Sequence, residues 1–133
     1  MPKFPSAEWA AQLFAAVNEN SAYAEAARAW EGDILLRVLP EVPSTRPPGI
    51  HLDLAHGTCR SAVYVDDSTG TTSEFVFEAS HADWREILEG RLEPVNAVVS
   101  GRVKVRGNFA KAMRFTKASG LLIGSASTIP TEF

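Results

Sequence analysis

The chain has 133 residues, 45% of them apolar and 22% charged, with a formal net charge of −3. That length suits one domain spanning 1–133, which buries about two thirds of its unfolded surface and needs no staples. No apolar run approaches the ~20 residues that cross a bilayer. The single cysteine, Cys59, excludes an internal disulfide and reads as a small buried residue on a strand. Met1-Pro2-Lys3-Phe4-Pro5 leads straight into an amphipathic segment, so no signal peptide is expected and the expected location is cytoplasmic.

The modest net charge conceals a segregation. Residues 1–93 hold fifteen of the sixteen acidic and seven of the thirteen basic residues, whereas 94–133 hold six basic residues and only Glu132. Such asymmetry marks a surface suited to anions. Nucleic acid is excluded as a partner, because the chain is acidic overall and lacks an aromatic–basic reading surface.

In chain order, Ser6 is placed to cap a helix with Glu8 in its first turn and an apolar stripe of Trp9, Leu13, Ala16 and Val17. A second short helix follows Asn20-Ser21 with Tyr23, Ala26, Ala27 and Trp30 on one face, ended by Glu31-Gly32. The period then changes to two. Ile34, Leu36 and Val38 form one strand face; Ile50, Leu52 and Leu54 follow the proline-rich loop Pro40–Gly49; Cys59, Ser61, Val63 and Val65 come after the break at Gly57. Phe75, Phe77 and Ala79 alternate with Glu74, Val76 and Glu78 beyond the turn segment 66–70. This alternation predicts a sheet with one buried and one wet face, its short connections arguing for antiparallel neighbours.

Ser80 is placed to cap a third helix carrying Trp84, Ile87 and Leu88, with Asp83 as capping-box partner and Gly90 as its stop. Pro94 opens another short helix with Val95, Val98 and Val99 inward. Arg102-Val103-Lys104-Val105-Arg106 alternates strictly, predicting a fifth strand, and Gly107-Asn108 opens a last helix with Phe109, Ala112, Met113 and Thr116 on one face. Leu121-Leu122-Ile123 reads equally as a helix turn or a strand, and Phe133, at the end of the tail 125–133, is a candidate plug for a cavity mouth. The element order is that of an α+β domain.

The run from Phe75 to Asn108 carries a distinctive set of spacings: a strand, a helix ending at Gly90, the step Arg91-Leu92-Glu93-Pro94, a short helix, then Gly101-Arg102-Val103-Lys104-Val105-Arg106-Gly107-Asn108 and a closing helix. In this it resembles the sterol carrier protein type 2 family, and Trp9 to Trp30 with Gly32-Asp33-Ile34 resembles its bacterial stand-alone members. The resemblance implies a curved, five-stranded, mostly antiparallel sheet with about five helices packed on one face, enclosing an elongated apolar cavity. It implies a lipid or fatty acyl ligand (fatty acid, acyl-CoA or phospholipid in preference to sterol), no metal and no cofactor.

On that basis the candidate ligand-binding residues are Phe75, Phe77, Trp84, Leu88, Val95, Val98, Val99, Val103, Val105, Phe109 and Met113. Valines at 98 and 99 stand where animal members of the family carry bulky aromatics, which implies extra room. The same side chains would equally fill a solid core. Arg102, Lys104 and Arg106 on one strand face, with Lys111, Arg114 and Lys117 on the polar side of the last helix, are candidates for an anionic headgroup or transient membrane-surface contact.

Other chemistry is poorly supplied. His51 and Asp53 lie on a strand face expected to be wet, His81 is too far along the chain to complete a metal site, and neighbours such as His56 and Cys59 on one strand rarely aim at each other. Phosphate-loop, dinucleotide and nucleophile-elbow motifs are missing, and none of the positions expected to point inward is Asp, Glu or His. The expected function is non-enzymatic binding and transfer of lipids. The alternatives are an enzyme for a lipophilic small molecule on a similar scaffold, or an interaction module with a filled core.

Overall fold

The computed structural model describes residues 1–42 and 45–133; residues 43 and 44 of the expected Pro40–Gly49 loop lie outside the described residues. Helices α1 (Ala7–Glu19) and α2 (Ser21–Ala26) precede strands β1 (Glu31–Leu39), β2 (Gly49–Ala55), β3 (Thr58–Val65) and β4 (Phe75–Ser80). Then come α3 (His81–Leu88), α4 (Pro94–Val99), β5 (Lys104–Arg106), α5 (Phe109–Arg114) and α6 (Thr116–Ser127). The caps follow local chemistry: Ser6, Asn20, Ser80 and Asn108 each accept a backbone N–H of the first turn with their side chains.

The sheet order is β3-β2-β1-β4-β5. Three of its pairings are antiparallel, but β4 does not extend the meander beside β3: it crosses back and pairs with β1 in parallel. The sheet is thus mostly antiparallel, as expected; the antiparallel neighbours read from the short connections hold for β1, β2 and β3 and fail for β4 at the centre of the sheet. The β2–β3 hairpin turns on His56 and Gly57, both at positive φ (53° and 82°), the combination that a two-residue turn matching the sheet's twist requires.

On β3 the register jumps, Leu54 facing Cys59 and Asp53 facing Ser61, so Arg60 is an extra residue. This bulge exchanges the faces of everything after it. Cys59 stays in the core, but Ala62 and Tyr64 follow it inward, and Val63 is turned to solvent. The single face drawn from Cys59 through Val65 is thus two half-faces.

The core joins the inner side chains of β1, β2 and β4 to Trp9, Leu13 and Val17 of α1, Trp84 and Ile87 of α3, and Ala118, Leu122 and Ala126 of α6. Trp30 has left α2 and precedes β1, its indole N–H bonded to the Gly32 carbonyl at 3.0 Å. The last helix is two helices, divided at Phe115, so there are six among the described residues rather than about five. Leu121–Ile123 belong to α6. Phe133 packs on Phe4 and His81 beneath Arg85, where Lys3 and Glu132 bridge the two termini, instead of plugging a cavity.

The opposite face of the sheet is not uniformly wet. Leu35 and Val76 are buried there, and Ser68 folds against Arg37 and the Pro47 carbonyl. Glu78 is buried between Arg37 (2.7 Å) and Arg106 (2.9 Å). Asp33 binds His51 (2.8 Å) with one oxygen and the Glu74 N–H (2.8 Å) with the other. Desolvation raises the Asp33 pKa, but the Glu74 and His51 hydrogen bonds outweigh it and hold the carboxyl below its ordinary value. Burial pushes the Cys59 thiol up to about 11, and its Sγ donates to the Ser61 carbonyl; His56 turns away to Glu31, so the two form no nucleophile pair.

Both acidic pairs on this face can be tested by substitution. Glu78→Ala strands Arg37 in a buried setting without its anion and costs about 3–5 kcal/mol, read from urea unfolding. Because the Asp33 pKa is depressed on folding, its contribution is present above the ordinary carboxylate value and lost as pH falls through the folded value. Asp33→Asn is accordingly less stable than wild type at neutral pH and loses less of its stability on acidification, compared as urea midpoints at the two pH values.

Candidate functional site

Between the β1–β4–β5 end of the sheet and the later helices lies an apolar pocket of about 200 Å³. Its floor is built by the period-two faces of three adjacent strands: Ile34 and Leu36 of β1, Phe77 of β4 and Val105 of β5, with Val103 just before β5. Leu36 and Phe77 are register partners across β1 and β4, as are Phe77 and Val105 across β4 and β5. Trp84 and Ile87 of α3 close one side, and the Trp84 indole N–H is satisfied by the Arg37 carbonyl at 3.0 Å. Pro94, Val95, Val98 and Val99 of α4 form a second wall, and Phe109, Ala112 and Met113 of α5 a third. Thr116, Ser119, Gly120, Leu122 and Ile123 of α6 complete it.

The pocket is open to solvent at the α4–α5 rim rather than sealed. Val99 is 81% exposed, and about half of Phe109 and Met113 is uncovered. The helix α4, only six residues long, buries Ala97 rather than its valines, so Val95 and Val99 stand at the mouth instead of pointing inward as expected. No side chain of α5 is buried. It is tethered at its start by Gly107, where a Cβ would lie 2.6 Å from the Glu74 carbonyl oxygen and 2.7 Å from the Phe75 ring. Lys111 is the other tether: its ammonium binds Glu74 (2.7 Å) and the Glu31 carbonyl (2.8 Å) and sits 4.7 Å from the Trp30 ring centroid.

Nine of the eleven candidate ligand contacts line this pocket: Phe77, Trp84, Val95, Val98, Val99, Val103, Val105, Phe109 and Met113. The other two lie elsewhere. Phe75 is fully buried against Trp30, with ring centroids 5.3 Å apart, and Leu88 belongs to the core. The α6 wall escapes the sequence reading because its residues fall in a stretch whose period is ambiguous. The signal that would find it is the continuation 109, 112, 113, 116 to 119, 120 and 123 at helical spacing.

Glu93 also lines the pocket, which corrects the expectation that no acidic residue does so. Its carboxylate is occupied as the cap of α4, accepting the Val95 and Asn96 N–H groups at 3.2 and 2.9 Å. Thr116 donates to the Met113 carbonyl at 2.7 Å. The lining therefore presents few polar groups, and those at Glu93 and Thr116 already have partners. No group of three or more metal-ligating side chains occurs among the described residues.

The cationic candidates divide in two. Arg102 lies outside β5 and takes Asp83 (2.7 Å), displacing the expected capping box; Arg106 takes Glu78, and Lys111 takes Glu74 from a half-buried seat rather than from a polar helix face. Lys104, Arg114 and Lys117 are exposed and have no carboxylate partner among the described residues.

The fold is shared with known proteins. Residues 10–119 match the family model of the SCP-2 sterol transfer family. A crystal structure of sterol carrier protein 2 is 34% identical, with a TM-score of 0.89 over 96% of this chain and 99% of that one. The solution structure of a Thermus thermophilus protein, described as possibly a sterol carrier protein, is 32% identical, with a TM-score of 0.87 over 99% of this chain and 93% of its own. Human stomatin-like protein 1 is 37% identical over 73 residues, 55% of this chain but only 18% of that protein's length. With the matched region spanning most of its strands and helices, this chain belongs to the SCP-2 sterol transfer family.

Proposed function

We propose that the domain binds the apolar part of a lipid in the pocket beneath α4 and α5 and hands it on with no bond broken. Family and fold support lipid or sterol binding and transfer in general. The observation that carries the finer reading, an acyl ligand, is the pocket's lining: hydrocarbon from three strands and four helices, with the Glu93 carboxylate and Thr116 hydroxyl already bonded. Such walls recognise chain contact rather than functional groups. Each buried methylene contributes about 0.8 kcal/mol, so a long acyl chain gains on the order of 10 kcal/mol before association costs remove several.

The resting volume of about 200 Å³ is below the ~300–1,000 Å³ of sites for drug-sized ligands. A full-length chain therefore needs the walls to part. The wall best suited to part is α5, none of whose side chains is fully buried, with the partly buried Ala112 and the Lys111 contacts holding its near end.

Native mass spectrometry of the purified protein, followed by solvent extraction, tests the reading. A stoichiometric fatty acid or phospholipid released only on denaturation is the expected result. A clean apo mass that persists after incubation with mixed lipids and acyl-CoA would sink it.

Gly120 supplies a second test. It lines the pocket within α6, yet a Cβ placed there meets no atom within 4 Å beyond its chain neighbours and its own helix backbone. Gly120→Ala should be stabilising by up to about 1 kcal/mol, because glycine in a helix interior is costly. Gly120→Leu should fold and fill the space, displacing about two methylenes of ligand contact and lowering fatty acid affinity roughly tenfold. Unchanged affinity in Gly120→Leu would mean that the ligand does not enter here.

A further inference from the structure

We propose that the pocket mouth docks on an anionic lipid bilayer, with the exposed apolar side chains of α4 and α5 entering the interface and Arg114 and Lys117 facing the headgroups. The inference rests on the lipid-binding reading above and adds to it the surface from which the ligand is taken and to which it is returned.

Three observations converge on this face. The first is apolar exposure. Val95, Val99, Phe109 and Met113 are the large hydrophobic side chains exposed on α4 and α5, and all four stand on the pocket lining. The others, Met1, Phe14, Val42 and Val63, are scattered over the N-terminus, α1, a loop and β3. Single exposed apolar residues are ordinary, whereas a contiguous set around an opening marks a binding surface.

The second is charge. The stretch 94–120, which builds both mouth helices, contains six basic residues and no Asp or Glu. Carboxylates from other elements pair with Arg102, Arg106 and Lys111, Glu78 being shared between Arg106 and Arg37. Arg114, directly after Met113, and Lys117, four residues beyond Met113, keep their charge unpaired among the described residues, whereas Lys104, the register partner of Glu78, stands on the opposite face of the sheet. Glu93 is the one carboxylate on the lining, and both its oxygens are committed to backbone N–H groups of α4.

The third is mechanical. The mouth helices are six residues each, and no side chain of α5 is fully buried. An apolar rim with unpaired cations matches a partner that offers hydrocarbon and negative charge together, which an anionic bilayer does. In this pose the opening faces the acyl layer, so a chain enters the pocket without crossing water.

The test uses flotation with phosphatidylcholine vesicles, with and without phosphatidylglycerol, alongside uptake of a pyrene-labelled fatty acid dispersed in buffer. The wild-type protein should float with the phosphatidylglycerol vesicles and lose that binding at high salt. Each unpaired cation is worth about fivefold, so Arg114→Gln with Lys117→Gln should weaken binding about 25-fold while leaving uptake from buffer unchanged. Because Cys59 is buried, an environment-sensitive dye on Val99→Cys reports the mouth alone. Its emission should shift to the blue on the anionic vesicles, and that of a dye on Phe14→Cys of α1 should not. Unchanged binding by the double variant, or a shift at position 14 with none at 99, overturns the proposal. A wild-type protein that takes up the fatty acid but ignores anionic vesicles also overturns it and leaves the pocket reading intact. Docking with a shift at 99 but no fatty acid uptake supports the surface and rejects the pocket.

Discussion

The Arg37–Glu78 pair sits where the sheet changes from antiparallel to parallel, and the pocket depends on it. The two residues are direct register partners on β1 and β4, with Arg106 of β5 on the same carboxylate oxygen and Ser68 on the guanidinium. In a parallel pairing with no hairpin to set it, register must be specified by side chains. A slip by one residue would set the guanidinium against Phe77 or Ala79 and turn β4's apolar face away from Leu36. In the observed register Leu36, Phe77 and Val105 form one row across three strands, which is the floor on which any ligand would lie. Two charges removed from water are costly, and multiple hydrogen bonds on each are what make the arrangement tolerable. The same network ties down the 66–74 connection through Ser68, so the crossover that makes the parallel pair is secured by the residues that set its register.

The helices divide into two mechanical classes. The first, α1 with α6, carries Trp9, Leu13, Val17, Leu122 and Ala126 into the core and links the chain's two halves, helped by Asn20 reaching Ser125 at 2.8 Å. The short pair α4 and α5 spans the pocket opening with almost no buried side chain. Segments with few buried contacts open at lower free energy than the elements that carry the core. The fold thus places its least secured helices over its apolar pocket, and the Lys111 contacts with Glu74 and Trp30 anchor the near end of that cover.

Much of this is legible in the residues. Helix starts at Ser6, Asn20, Ser80 and Asn108 announce themselves because a cap is a local bond. The Gly and Pro positions from Gly90 to Asn108 carry the family resemblance, and the period-two faces of β1 and β4 place most of the pocket floor. What cannot be read depends on distant partners. Nothing near Arg60 signals a bulge, because the extra residue is defined only by what it faces on β2. The parallel placement of β4 is decided by side chains on two strands about forty residues apart in sequence. Lys111 looks like an exposed helix cation until Trp30 and Glu74 are brought to it, and Glu93 looks like a linker residue until α4 turns it to the rim. Leu121–Ile123 taken alone has no period to choose helix over strand; it shows only as part of the longer 109–123 spacing, and in the fold Asn20 and Ser125 both donate to the Leu121 carbonyl.

The lack of buried side chains on α5 has an evolutionary consequence. In most binding sites the residues that shape the cavity also hold up the core, so a change of ligand is a change of stability. Here Phe109 and Met113 can be exchanged for larger, smaller or more polar side chains while the free energy of folding stays with α1, α3, α6 and the sheet. Selection on cargo is thereby uncoupled from selection on folding, and a single scaffold is free to diverge in what it carries by drift within one short helix.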